Sequence, residues 1–540
     1  MRKFILLLTA VLIITYSVTL LRPAQIQLAT PQLEDELLLV PLDSRPVCST
    51  MVQKLGMLAG INVIVPPKEL LDNYQKGAEQ EKLWQWLQYT TPRYSESIIS
   101  ADLLLHGSLL NTRQHLASQL EQEHFREQLQ KVYSQKLTLF SIIPRLLVSD
   151  EVLPDRWYQY HLMRYSQLKD MVEINNDYAM TAKLMEFTKD IPSEILHKYE
   201  NLYTQSESFN TMLLNELCTN SSATALELLI GQDDSNPFGL PHRTAKHLQN
   251  LIIRNKLTSQ ANLTYGADEI GALLLARHYL RTQNFSPRIK IIYSSPRTEF
   301  KHMPYMAASC GATLRNQIEL LGAKLTEESE AADFVLYVHC GDDDNKPRVE
   351  QARELKKLLQ TAKHVALIDL SANFEASEML LPLLLSEDVE LNKLTAYAGW
   401  NTFSNSSGTA LSQAAIFTGR LREHPTPELC ATNLNFTIER ILEDYYYQKC
   451  IHPELRPYLE SFGTTPTNLE PEEKQATEYY IHKRLALAAE YLFYRNLCRT
   501  PFYENYYLTK LTVGARLPWN RIFEVELDVH TSVQELHSAQ

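Results

Sequence analysis

Nine short, unbroken apolar runs constrain this chain more than any other feature: Leu37–Val40, Asn62–Val65, Ser97–Leu105, Leu137–Ile143, Leu226–Ile230, Ile289–Tyr293, Phe334–Val338, Val365–Ile368 and Leu394–Tyr397. They are rich in Ile, Val and Leu, and helical stretches separate them. Strands that face water on one side alternate polar with apolar, whereas continuous runs belong to parallel strands covered on both faces. The pattern predicts an α/β fold. A TIM-like (β/α)8 barrel over residues 35 to 420 accommodates eight of the runs, and two doubly wound parallel sheets are the alternative.

Three parts are expected. Residues 1–30 form a signal peptide or signal anchor, 31–420 the α/β domain, and 421–540 a mainly helical C-terminal region. Met1-Arg2-Lys3 is a basic start, Phe4 to Leu21 carries no charge, and Arg22-Pro23 closes the stretch. A helix that is apolar all round is either a buried core helix or a membrane or signal segment, and an ordinary helix at the extreme N-terminus would be amphipathic, so the membrane or signal reading is favoured. Arg22 and Gln27 spoil the nearby cleavage sites, so an uncleaved anchor is favoured. The chain is therefore expected outside the cytoplasm, at the cell surface, in the periplasm or secreted, with a membrane contact if the anchor is kept. Within the α/β domain, residues 150–220 read as a helical insertion, with Tyr, Leu and Met at helical spacing. In the C-terminal region the clearest helix starts near Pro471, with Glu472 and Glu473 in its first turn.

Acids outnumber bases 64 to 52, a net charge of −12, and no basic block stands out, so nucleic acid is not an expected partner. Seven cysteines include no CxxC pair, which argues against a zinc site or a dense disulfide framework. Asp342 to Asp344 lacks calcium-loop spacing and reads as a solvated loop. No metal and no cofactor are expected. Walker A, GxSxG, HExxH and GxGxxG motifs do not occur, which weighs against nucleotide-dependent, serine-hydrolase and zinc-protease chemistry.

In either architecture ligands bind at the carboxyl ends of the strands. Those ends carry Asp43 and Arg45, Asp102, Pro144-Arg145, Asp233-Asp234, Ser294-Ser295, His339, Asp369, and Trp400-Asn401 with Asn405. The amino ends are polar too, as at Ser286-Pro287-Arg288, so polarity alone does not mark a site. Glycine sharpens the choice. The chain has only 16 glycines in 540 residues, well below ordinary usage. Gly231, Gly239, Gly266 and Gly271 nevertheless cluster, and Gly399 and Gly408 bracket Trp400-Asn401.

Asp233-Asp234 is the sharpest feature. Two neighbouring carboxyls cannot both ionise freely, so one keeps its proton, which gives the acid and the anion that glycoside hydrolysis needs. The pair suits substrate-assisted cleavage of an N-acetylhexosaminide, with one acid orienting the acetamido group and the other protonating the leaving oxygen. A solvated turn is the competing reading. Asp43, Arg45, Asp102, Asp268, Glu269, Trp400, Asn401 and Asn405 are the candidate substrate-binding residues, Trp400 as a platform for a sugar ring. Asp268 and Glu269 also suit the first turn of an amphipathic helix running through Arg281. The expected activity is thus an extracytoplasmic glycosidase on a carbohydrate substrate. A metal-dependent hydrolase using Asp43, Asp233 or Asp234 with His339 is one rival, and an anchored carbohydrate-binding or envelope protein is another.

Several of these segments recur together in one bacterial family. They are Val40–Pro46, Ser100-Ala101-Asp102 with Leu104 to Leu109, Gly231–Asp234, Gly266–Gly271, Ala396–Thr402 with Asn405 and Gly408, and Pro518–Glu524. On these residues the chain resembles the domain of unknown function 4127 family over almost its whole length past the apolar start. The resemblance brings no established activity, so the functional expectation rests on the residues.

Overall fold

The computed structural model describes Leu28 and residues 32–132, 136–149, 152–153, 155–175, 178–219, 226–342 and 346–536. Phe4 to Leu21, Asp343 and Asp344 lie outside the described residues. Among those described, no helix is long and apolar enough to cross a membrane.

Among the described residues, eleven parallel strands form two open sheets. The first has the order β2-β1-β3-β4-β5-β6. Its strands are β1 (Asp35–Val40), β2 (Ile61–Ile64), β3 (Glu96–Ser100), β4 (Lys136–Ile143), β5 (Leu226–Gln232) and β6 (Ala261–Tyr265). The second comprises β7 (Arg288–Tyr293), β8 (Lys324–Leu325), β9 (Phe334–Cys340), β10 (Val365–Leu370) and β11 (Leu394–Ala398), ordered β11-β10-β9-β7-β8. All nine apolar runs fall on strands. The run from Ser97 divides at Ser100, whose hydroxyl accepts from the Leu103 N–H and caps helix Ala101–His106.

The expected barrel is not formed, because no sheet of the described residues closes on itself. Two helices explain why. Helix Ile270–Thr282 is buried at every residue from Ile270 to Leu280, and helix Phe403–Glu423 at every residue from Phe403 to Arg420. The outer helices of a barrel keep one face in water, so helices buried all round need a layer on both sides. Here they lie between the sheets. Alternate strand residues sort accordingly: Leu37 and Leu39 join Leu336, Val338, Ile368 and Ala396 in the central core, while Leu38 and Val40 face the outer helices of the first sheet. The amphipathic helix expected after Asp268 is therefore buried on all faces as far as Leu280.

Between β4 and β5 lie helices Arg156–Asn175, Tyr178–Thr188 and Ser193–Thr219. They pack beside the carboxyl end of the first sheet, where Tyr199 and Tyr203 donate to the carbonyls of Leu146 and Arg145. The C-terminal region covers the outer face of the second sheet. It is helical through Leu497, with an 11-residue π-helix at Ile441–Ile451, and then forms the antiparallel hairpin β12 (Tyr506–Arg516) and β13 (Glu526–Glu535).

Candidate active site

Parallel register builds the site. Ile143 of β4 stands beside Gln232 of β5, and Gln232 beside Tyr265 of β6. The loops that follow must therefore run side by side. The Leu146 N–H donates to the Asp234 carbonyl at 2.8 Å, and the Gly266 N–H to the Gln232 carbonyl at 2.8 Å. Arg145 consequently reaches Asp234, with Nη2 2.5 Å from Oδ2. Arg113, on the turn after helix Ala101–His106, reaches Asp233 with Nη2 2.8 Å from Oδ2. Glycine is required at this crossing, because a Cβ on Gly231 would stand 2.5 Å from the Gly266 carbonyl oxygen.

A second ionic chain starts at β1. Arg45 bridges Asp43 at 2.7 Å and Asp268 at 2.6 Å. Asp268 in turn accepts from the Asn405 amide at 3.3 Å. That bond joins the carboxyl end of the first sheet to the first turn of helix Phe403–Glu423, which follows β11 of the second. Asn405 also accepts from the Thr402 hydroxyl at 2.6 Å, and the Ser406 hydroxyl donates to the Trp400 carbonyl at 2.8 Å. Asn401, between them, sits at φ +63°, the left-handed region that a side chain enters only when its surroundings hold it there.

These loops enclose a cavity of about 540 Å³, a size ordinary for a small-molecule site. Arg45, Asp233, Asp234, Asp268, Trp400, Asn401 and Asn405 line it as the sequence suggests, and Asp43 supports Arg45 from behind. Asp102 and Glu269 do not line it. Asp102 accepts from the Ile142 N–H at 2.7 Å and ties β3 to β4. Glu269 is fully buried behind the cavity against Gly266 and Gly408. His339 does not line the cavity: its Nε2 meets the Glu378 carbonyl and its Nδ1 the Gln351 amide oxygen, both at 2.8 Å. Among the described residues no three His, Cys, Asp or Glu side chains are grouped to hold a metal ion.

Other walls come from distant sequence. Tyr305 and Phe374 belong to loops of the second sheet, their ring centroids 6.0 Å apart. Lys449, from the π-helix, sits with Nζ 5.2 Å from the Phe374 ring centroid. Arg521 lies over Tyr74 at 4.4 Å and Trp519 at 4.8 Å and pairs with Glu524. Trp400 is only 8% exposed and packs on Phe523, which is 41% exposed. The open aromatic faces are thus Tyr305, Phe374 and Phe523 more than Trp400. Tyr305 and Phe374 share the φ of +63° found at Asn401, so three of the cavity's non-glycine residues hold left-handed backbone. The glycine cluster pointed at the Gly266 and Trp400 loops. For Lys449 no local signal exists.

Burial and charge divide the two central carboxyls. Burial pushes Asp233 up, but Arg113 and Arg145 outweigh it and hold the group below the usual carboxylate range. Burial dominates at Asp234 and raises it to about 6 despite Arg145. Glu269 is driven by burial to about 8, and Asp102 to about 7.

Two open parallel sheets with helices on both faces, and a polar cavity at the carboxyl ends of their strands, define an α/β protein. A family model described as "Protein of unknown function (DUF4127)" matches residues 37–528, and the chain belongs to that family. No curated protein and no solved structure is matched.

Proposed function

We propose that this chain is an exported glycoside hydrolase that cleaves an N-acetylhexosaminide with Asp233 and Asp234. The observation that carries the reading is the pair itself: adjacent carboxyls on one cavity wall, each on its own arginine. In this mechanism Asp234, raised to about 6 by burial, protonates the leaving oxygen. Asp233, kept ionised by Arg113, orients the acetamido group and balances the positive charge that develops on the sugar. Tyr305, Phe374 and Phe523 supply faces for the ring. Export rests on the apolar stretch Phe4 to Leu21.

One observation favours the binding-protein reading instead: both carboxylates are already in ion pairs. Turnover decides. The full chain, Asp233→Asn and Asp234→Asn are assayed against aryl glycosides that include N-acetylhexosaminides. Release of aryl alcohol by the wild type, lost in either folded variant, supports the carboxyl-pair mechanism. No turnover of any glycoside, with or without added divalent metal, leaves carbohydrate binding as the better reading.

A further inference from the structure

Next to the cavity, beneath the helical insertion, lies a second and smaller hollow of about 250 Å³. Arg113 and Arg145 line both spaces and form the wall between them. The far side is aliphatic: Leu116, Val148, Leu153, Leu162, Ile195 and Leu202. Its aromatic member, Tyr199, has its hydroxyl turned to the Leu146 carbonyl at 2.9 Å, which leaves the ring as hydrocarbon surface. Glu194 and Lys198 provide charge there besides the two arginines, and both lie on the exposed side of helix Ser193–Thr219.

We infer that this annex is a subsite for an aliphatic chain carried by the molecule whose polar part occupies the main cavity. The inference rests on the glycosidase reading for the identity of that polar part, but the annex itself is independent of it. Two features select an aliphatic occupant. The walls are branched aliphatic side chains rather than stacked rings, and the shared arginines place a polar boundary where a head group would meet its tail. The aspartates hold one nitrogen of each guanidinium, so each arginine faces catalytic carboxyl and hydrocarbon hollow at once. A substrate with a polar head and an alkyl tail satisfies both compartments, whereas a wholly polar glycan leaves the annex in contact with water.

Two ligand series test this on the full chain by calorimetry. The first is methyl, butyl and octyl N-acetylglucosaminide. The second is acetate, butanoate and octanoate, whose carboxylates need no glycosidase. Affinity is expected to rise with chain length in both, by roughly fourfold per methylene until the annex is full. Val148→Trp and Ile195→Trp, both at partly exposed positions, fill the hollow. They are expected to flatten both series while leaving the shortest ligand unchanged. Graded alkanoate binding without turnover of any glycoside keeps the annex and removes the glycosidase. Turnover of the methyl and octyl glycosides at equal kcat/KM, with flat alkanoate binding, overturns the annex and keeps the glycosidase. Flat binding in both series overturns the annex whatever the turnover.

Discussion

The Asp444 carboxylate, buried in the π-helix, accepts a hydrogen bond from the Gly399 backbone N–H at 2.9 Å. Gly399 has no room for a side chain, since a Cβ there would stand 2.6 Å from the Asp369 carbonyl oxygen. The same carboxyl lies 3.3 Å from Arg440, which also pairs with Glu439 and Glu443. One residue of the C-terminal region thereby fixes the start of the Trp400-Asn401 loop. π-Helical turns are uncommon and often mark functional sites, and this one delivers Gln448 and Lys449 to the cavity.

Asp444→Ala should therefore cost about 1–3 kcal/mol in urea unfolding, because it orphans the buried Gly399 N–H, while Arg440 keeps Glu439 and Glu443. Asp444→Asn keeps an acceptor for Gly399 and should cost less. Equal losses in the two variants would mean that the Gly399 bond adds nothing.

Gly231→Ala tests the crossing of β5 and β6. The added methyl would meet the Gly266 carbonyl at 2.5 Å and the Ile142 side chain at 2.8 Å. Overpacking of this kind costs about 1–3 kcal/mol. A urea midpoint equal to that of the wild type would show that the two strands part freely.

The strands were legible because parallel strands covered on both faces cannot hide their composition. β6 (Ala261–Tyr265) escaped because it is an edge strand that buries only Ala261 and Thr264 fully, and β8 because its two residues are exposed. The two-sheet arrangement, offered by the sequence only as the alternative to a barrel, was harder to favour. Helix Phe403–Glu423 opens Phe-Ser-Asn-Ser-Ser-Gly-Thr, and its burial depends on hydroxyls bonding inside the protein, as Ser407 does with Gln317 at 2.6 Å. Polar composition there reads as surface. At the site, carboxylates after strands are a local signal, so Asp43, Asp233 and Asp234 could be picked out, and Asp268 stood out through the Gly266–Gly271 segment. Their arginines stand up to 223 residues away along the chain, the separation of Arg45 and Asp268. A single sequence carries no such distances.

Glu269 gives a pH signature. Its folded value of about 8, set by burial, lies above the unfolded value of about 4.3. The folded state then binds the proton more tightly, so stability from this group is complete below the unfolded value and is lost as pH rises towards about 8. Asp102 and Asp234 titrate inside the same window, so the comparison with Glu269→Gln isolates the group. The wild type should lose about 3 kcal/mol more than Glu269→Gln between about pH 5 and pH 8. Parallel urea midpoints across that range would show that Glu269 is ionised in the folded protein.

Arg113 offers the sharpest test of the carboxyl pair. Its guanidinium lies 2.8 Å from Asp233 and counters the burial that would otherwise raise that carboxyl. Arg113→Met removes the charge and keeps much of the side-chain bulk. Asp233 should then hold its proton to higher pH, with Arg145 its remaining cation. A carboxyl that must be ionised for turnover sets the acid limb of kcat/KM, and in a coupled pair that limb belongs to both groups. The acid limb should move upward in Arg113→Met. It should move less in Arg113→Lys, which restores charge without the planar fork. The variant must also lose stability, by about 3 kcal/mol, because a buried carboxylate has lost a partner. A fall in turnover with the acid limb unmoved would assign Arg113 to substrate binding and leave the ionisation of Asp233 outside the reaction.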